Sequence, residues 1–175
     1  MVEPKRRLNV FKPAGDGDEE PRPPWHWVGF GTAAIFAVWL PLAYAAEALK
    51  ARLVLRFVGD VRSADESAAA IASLSAADRT RLAVLIVGLM VVPLVTSAFA
   101  GGYLVGRWGR GAGVREAALA GLSTALIVGG LACAASGLAA SWSAPLVGVV
   151  LATPLAAWGG REGRVRRART HGPDS

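Results

Sequence analysis

Long apolar blocks with no charged residue inside them constrain this chain more than any other feature. Four stand out, at residues 28–46, 82–106, 117–140 and 144–158. A helix rises about 1.5 Å per residue, and the hydrocarbon core of a bilayer is about 30 Å thick, so a crossing takes about 20 mostly apolar residues. The first three blocks meet that length and the fourth falls short of it. The apolar residues run continuously and show no amphipathic period, which is the pattern of membrane spans. Composition agrees, with 53% hydrophobic residues and a mean hydropathy of +0.41. The expected fold is all-α: a four-helix transmembrane bundle over residues 25–160, with a short amphipathic helical loop outside the membrane at residues 47–81. A polar tail precedes it at 1–24, and a basic tail follows at 161–175.

The position of the basic residues orients this bundle. One side carries Lys5, Arg6, Arg7, Lys12 and Arg22, the turn residues Arg107, Arg110 and Arg115, and then Arg161, Arg164, Arg166, Arg167 and Arg169. The other side holds Lys50, Arg52, Arg56, Arg62, Arg79 and Arg81 in one long loop, and nothing basic in the turn near Ser141. Positive charge is retained in the cytoplasm, so both termini are expected inside a bacterial cytoplasmic membrane. Trp25, Trp27, Trp108, Trp142 and Trp158 fall at span ends, where amphipathic rings favour the headgroup layer. With Arg107 and Arg161 they form the expected set of interface anchors; Trp39 alone lies inside a block. Pro41 followed by Ala43, Tyr44 and Ala45 resembles a signal-peptide cleavage site. The long acidic and proline-bearing tail before it argues for a retained helix.

The tail at 1–24 is too polar to fold alone and is expected to be disordered in the cytoplasm. In the outer loop, Leu53, Val54, Phe57, Val58 and Val61 recur at helical spacing, with Arg52, Arg56 and Asp60 opposite them. This describes an amphipathic helix that either lies on the membrane or continues the first span outward. Ser63 with Glu66, and Ser75 with Asp78, have the spacing of capping boxes, which predicts a short helix from Ser63 and a second span starting near Ala76.

Small residues recur every four positions within the blocks, a spacing that lets membrane helices approach closely. The second block ends on Ala98, Gly102 and Gly106. The third carries Ala117, Gly121, Ala125, Gly129, Cys133 and Gly137, and the fourth Ala144, Gly148, Ala152, Ala156 and Gly160. Ala98, Gly102, Gly106, Gly121, Ala125, Gly129, Gly148 and Ala152 are the candidate packing residues. Most of the third block is small, so composition alone would generate some such stripe and leaves its register open. Leu119, Leu122 and Leu126 fall on one side of that helix, which suits it to the centre of a bundle.

No ionisable residue lies inside a block, where a buried charge would mark function; Glu47 and Arg107 belong to span ends. The polar groups available are hydroxyls, which commonly bond the preceding helical turn. Pro41, Pro93 and Pro154 each interrupt a block, as in ordinary or kinked membrane helices. Cys133 is the single cysteine, and His26 and His171 have no partners at ligand spacing, so neither a metal nor a cofactor is expected. Gly101 to Gly106 with Arg107 has the glycines of a phosphate loop but lacks its Lys-Ser/Thr and a preceding strand. The basic tail has no interleaved aromatic residues, which disfavours nucleic acid and favours anionic lipid.

GGYLVGRWGRG followed by REAALAG, from Gly101 to Gly121, resembles small multi-pass bacterial inner-membrane proteins in which a glycine pair, an aromatic and a Gly-Arg close one helix before an Ala/Gly-rich helix. The resemblance implies a fold type and no activity. With no acid, base, nucleophile or metal set at membrane depth, an enzyme is not expected. The expected function is a structural or accessory subunit that packs with itself as a homo-oligomer or with a larger complex. The alternative is a transporter or channel component for a neutral solute.

Overall fold

The computed structural model describes residues 25–60, 63–109, 111–136 and 143–170. The tail at 1–24, Val61, Arg62, Arg110, Gly137, the turn near Ser141, Trp142 and His171 lie outside the described residues. Five helices make up the fold: α1 (Trp25–Val58), α2 (Ala64–Ser73), α3 (Ala76–Trp108), α4 (Val114–Ser136) and α5 (Ser143–Thr170). There is no strand among the described residues. Three segments are long and apolar enough to cross a membrane: α1, α3 and Val114–Leu131 of α4. That is the composition of a membrane protein. The fourth apolar block is one half of α5.

Local sequence accounts for the element boundaries. α1 continues without a break through the amphipathic segment, so this segment extends the first long helix and is not a separate surface helix. It stops at Gly59, whose φ of +87° favours glycine; its N–H bonds Leu55 O at 3.0 Å. Ser63 and Ser75 are N-caps, each Oγ accepting the N–H three residues on, from Glu66 and Asp78, at 3.1 Å. Each satisfies one of the donors that a helix start leaves unpaired. At α4 the roles are divided: Gly113 N–H donates to the Glu116 carboxylate. Pro41, Pro93 and Pro154 lie within α1, α3 and α5 without ending them. Arg161 to Arg169, read above as a tail, continue α5 as helix to Thr170.

The helices alternate in direction. α1 and α4 run one way, with Gly31 facing Ala120 and the Thr32 hydroxyl shared between Val28 O at 2.9 Å and Ala120 O at 3.4 Å. α3 runs against α1, Gly101 lying on Ile35. α5 runs parallel to α3, and both are antiparallel to α4. The core is built from small residues: Ala98, Ala125 and Ala152 form one cluster, with Leu94, Val149 and Leu155 packed on it. Val105, Ala112 and Ala117 form a second, covered by Trp27. The larger side chains turn outward, among them Leu119, Leu126, Ile127 and Leu131 on α4 and Val84, Val87, Met90 and Val92 on α3.

Candidate functional site: the glycine seam and the arginine end

The parallel helices α3 and α5 approach each other closely, and the contact is reciprocal. A Cβ on Gly102 would lie 2.0 Å from Ala156 O, and one on Gly106 would lie 2.1 Å from Gly160 O. In return, a Cβ on Gly159 would lie 2.2 Å from Phe99 O, and one on Gly163 would lie 2.3 Å from Tyr103 O. Each helix thus lays two glycines against the other's backbone. No larger side chain fits, because the obstacle is a carbonyl and cannot rotate away. Lipid tails are as apolar as the helices, so contact of this kind carries association where no hydrophobic drive exists.

The register that composition left open is therefore decided. Ala98, Gly102 and Gly106 face Ala152, Ala156 and Gly160 along α3 and α5. On α4, Ala117 meets Gly160, while Gly121 meets Ala152 and Ala156. Ala125 packs on Ala152 in the first cluster, and Gly129 is buried further along α4. Gly148 is packed more loosely than Gly102, Gly106 and Gly121, at an ordinary 3.6 Å from Ala125 Cβ. Gly31, Gly101, Gly159 and Gly163 belong to the packing and were not among the candidates. For Gly101 and Gly159 the signal was the pairs Gly101-Gly102 and Gly159-Gly160. Neighbouring helical positions point about 100° apart, so Gly101 faces α1 while Gly102 faces α5, and Gly159 faces α3 while Gly160 faces α4. At these two pairs a helix is approached closely from two sides, whereas in Gly129-Gly130 of α4 the second glycine meets nothing within 4 Å. Gly101 to Gly106 are regular α-helix, so they form no phosphate loop.

At one end of the bundle the start of α1, the end of α3, the start of α4 and the basic part of α5 come together. Arg167 donates to the carbonyl of Gly109, the C-cap of α3, which also accepts the Ala112 N–H at 3.1 Å; a cation there opposes the negative end of the helix dipole. Arg107 Nη1 donates to Thr170 Oγ1 at 3.2 Å. The Arg166 guanidinium sits 5.9 Å from the Tyr103 ring centre, within cation–π range. Arg161 and Arg164 are exposed, and Arg164 reaches over Gly113. Of the tryptophans, Trp25, Trp108 and Trp158 are exposed, Trp158 standing edge-on to Phe99 at 5.5 Å. Trp27 is half-buried against the second cluster. Of the residues expected as anchors, Trp25, Trp27, Trp108, Arg107 and Arg161 gather at this end, and Trp158 lies about one turn before Arg161 in α5.

No protein-family model, curated protein or solved structure matches this chain. The resemblance carried by Gly101 to Gly121 rests on those residues alone. What the arrangement can do is mechanical and electrostatic. The seam holds helices in fixed register, and the arginine end presents a dense positive surface.

Proposed function

We infer that this chain is a four-span protein of the bacterial cytoplasmic membrane, with both termini in the cytoplasm, serving as a structural or accessory subunit. Its fourth span is the apolar half of α5. The observation that carries this reading is the reciprocal glycine contact of α3 with α5. Backbones held at that distance resist sliding, which suits a scaffold better than a moving gate. The outward side chains of α3 and α4 are then free to meet lipid or the helices of a partner, either a second copy or a larger complex. The arginine end attracts anionic lipid of the inner leaflet, each cation near the surface contributing about 1 kcal/mol.

A second reading, a transporter or channel component for a neutral solute, is favoured by one feature. Thr153, beside Pro154, buries a hydroxyl without a hydrogen-bond partner among the described residues. Purification of the tagged full chain from native membranes in mild detergent, with mass spectrometry of co-purifying proteins, separates the two. A stoichiometric membrane partner is the expected result. Isolation of the chain alone, together with solute flux in liposomes, would replace the accessory role with transport.

A further inference from the structure

A cleft of about 230 Å³ opens between α1 and α3, lined by Trp39, Ala43, Glu47 and Lys50 on one side and by Leu89 and Pro93 on the other. Its depth follows from the four-span orientation proposed above, on which this inference rests. With the inner hydrocarbon boundary at Trp27 and Arg107, a crossing of about 20 residues reaches Glu47 on α1 and Val87 on α3. Glu47 and Lys50 then stand at the mouth of the cleft in the outer headgroup layer. Trp39, Ala43 and Pro93 line its apolar floor in the outer leaflet.

The mouth carries one carboxylate and one ammonium. Lys50 Nζ donates to both Glu47 oxygens, at 3.1 and 3.0 Å. An ammonium has three donors and a carboxylate about four acceptor positions, so the pair keeps capacity for a further anion at Lys50 and a further cation at Glu47. The cleft is smaller than the roughly 300–1,000 Å³ of pockets that enclose a whole small molecule. Its occupant is held in part and leaves the rest in the bilayer.

We propose that this cleft seats one outer-leaflet phospholipid with a zwitterionic, primary-ammonium headgroup. One acyl chain lies along Ala43 and Pro93, the headgroup ammonium donates to Glu47, and the phosphate accepts from Lys50. An anionic headgroup would satisfy Lys50 but bring no cation to the Glu47 carboxylate. A quaternary ammonium has no N–H to give Glu47. The site differs from the arginine end, where arginines outnumber the acids Glu116 and Glu162.

The test uses the full chain in nanodiscs of phosphatidylethanolamine, phosphatidylcholine and phosphatidylglycerol in equal parts, with retained lipid identified by native mass spectrometry. One ethanolamine lipid is expected to remain bound. Glu47→Gln, at the rim of the cleft, should lower its preference over the glycerol lipid by about tenfold, the loss expected of one hydrogen bond to a charged group. Lys50→Gln, which removes the contact that both phosphates share, should weaken retention of both lipids without lowering that preference. Equal retention of the three lipids by the natural chain, an unchanged preference in Glu47→Gln, or undiminished retention in Lys50→Gln would overturn the proposal. Labelling with a membrane-impermeant amine reagent on spheroplasts tests the orientation separately. Modification of Lys50 with protection of Lys5 and Lys12 supports the orientation whatever the lipid result, and the reverse pattern overturns the orientation and the outer-leaflet site with it.

Discussion

Two glycines of α3 illustrate how opposite effects compete at a single residue. Alanine is favoured over glycine inside a helix by about 1 kcal/mol. At Gly88, where a Cβ would meet nothing within 4 Å, that preference acts alone, and Gly88→Ala is expected to stabilise the protein by about 0.5–1 kcal/mol. At Gly102 the same methyl would stand 2.0 Å from Ala156 O. Forcing two backbones apart costs about 1–3 kcal/mol or more in a packed interior, which exceeds the propensity gain. Gly102→Ala is therefore expected to lower stability, and Gly102→Leu to lower it further. Thermal unfolding of the three variants in one detergent checks the order; equal midpoints for Gly88→Ala and Gly102→Ala would refute it. The sequence singled out Gly102 by its spacing from Ala98 and Gly106 and gave no sign at Gly88. Their difference lies in what stands across from them.

Among the elements, α5 changes character along its length. Its first half is apolar and buries Ala152, Ala156 and Gly160. Its second half is basic, yet Gly163 stays against Tyr103 O while Arg167 caps α3. Docking of the basic half should shield its arginines from protease. Gly163→Leu, which no rotamer can accommodate against a carbonyl, is expected to speed tryptic cleavage between Arg161 and Arg169 in inside-out vesicles several-fold. The natural cleavage rate in that variant would mean the basic half is not held on α3. The end of this helix was not legible in the sequence, because a run of arginines reads equally as a solvated tail or as a helix. Contacts with α3 decided it. The caps were legible: Ser63 and Ser75 bond the N–H groups that their spacing to Glu66 and Asp78 indicated.

At the scale of the whole molecule, helices of 34 and 33 residues in α1 and α3 reach about 50 Å, well beyond a hydrocarbon core of about 30 Å. Given the arginine end at the inner surface, their excess projects from the outer one, where α2 joins them. A reporter active only in the cytoplasm, fused after Thr170, is expected to be active, and one inserted after Ser73 inactive. Replacing Arg161, Arg164, Arg166 and Arg169 with glutamine should weaken that bias, since retained positive charge sets orientation. Activity after Ser73 in the natural chain would reverse the topology.

Sequence by itself determined the all-helical class, the three long apolar helices and the starts of α2 and α3, because these depend on local quantities: hydropathy over about 20 residues and side chains that cap their own helix. It also determined which residues are small enough to permit close packing. Which of them meet was decided only in the tertiary structure. A stripe of alanine and glycine is compatible with several partners and registers, and the choice is made by the neighbouring backbone. Gly102 and Gly106 against Ala156 and Gly160, with Gly159 and Gly163 returning the contact, is a property of two helices together, and neither sequence segment contains it alone.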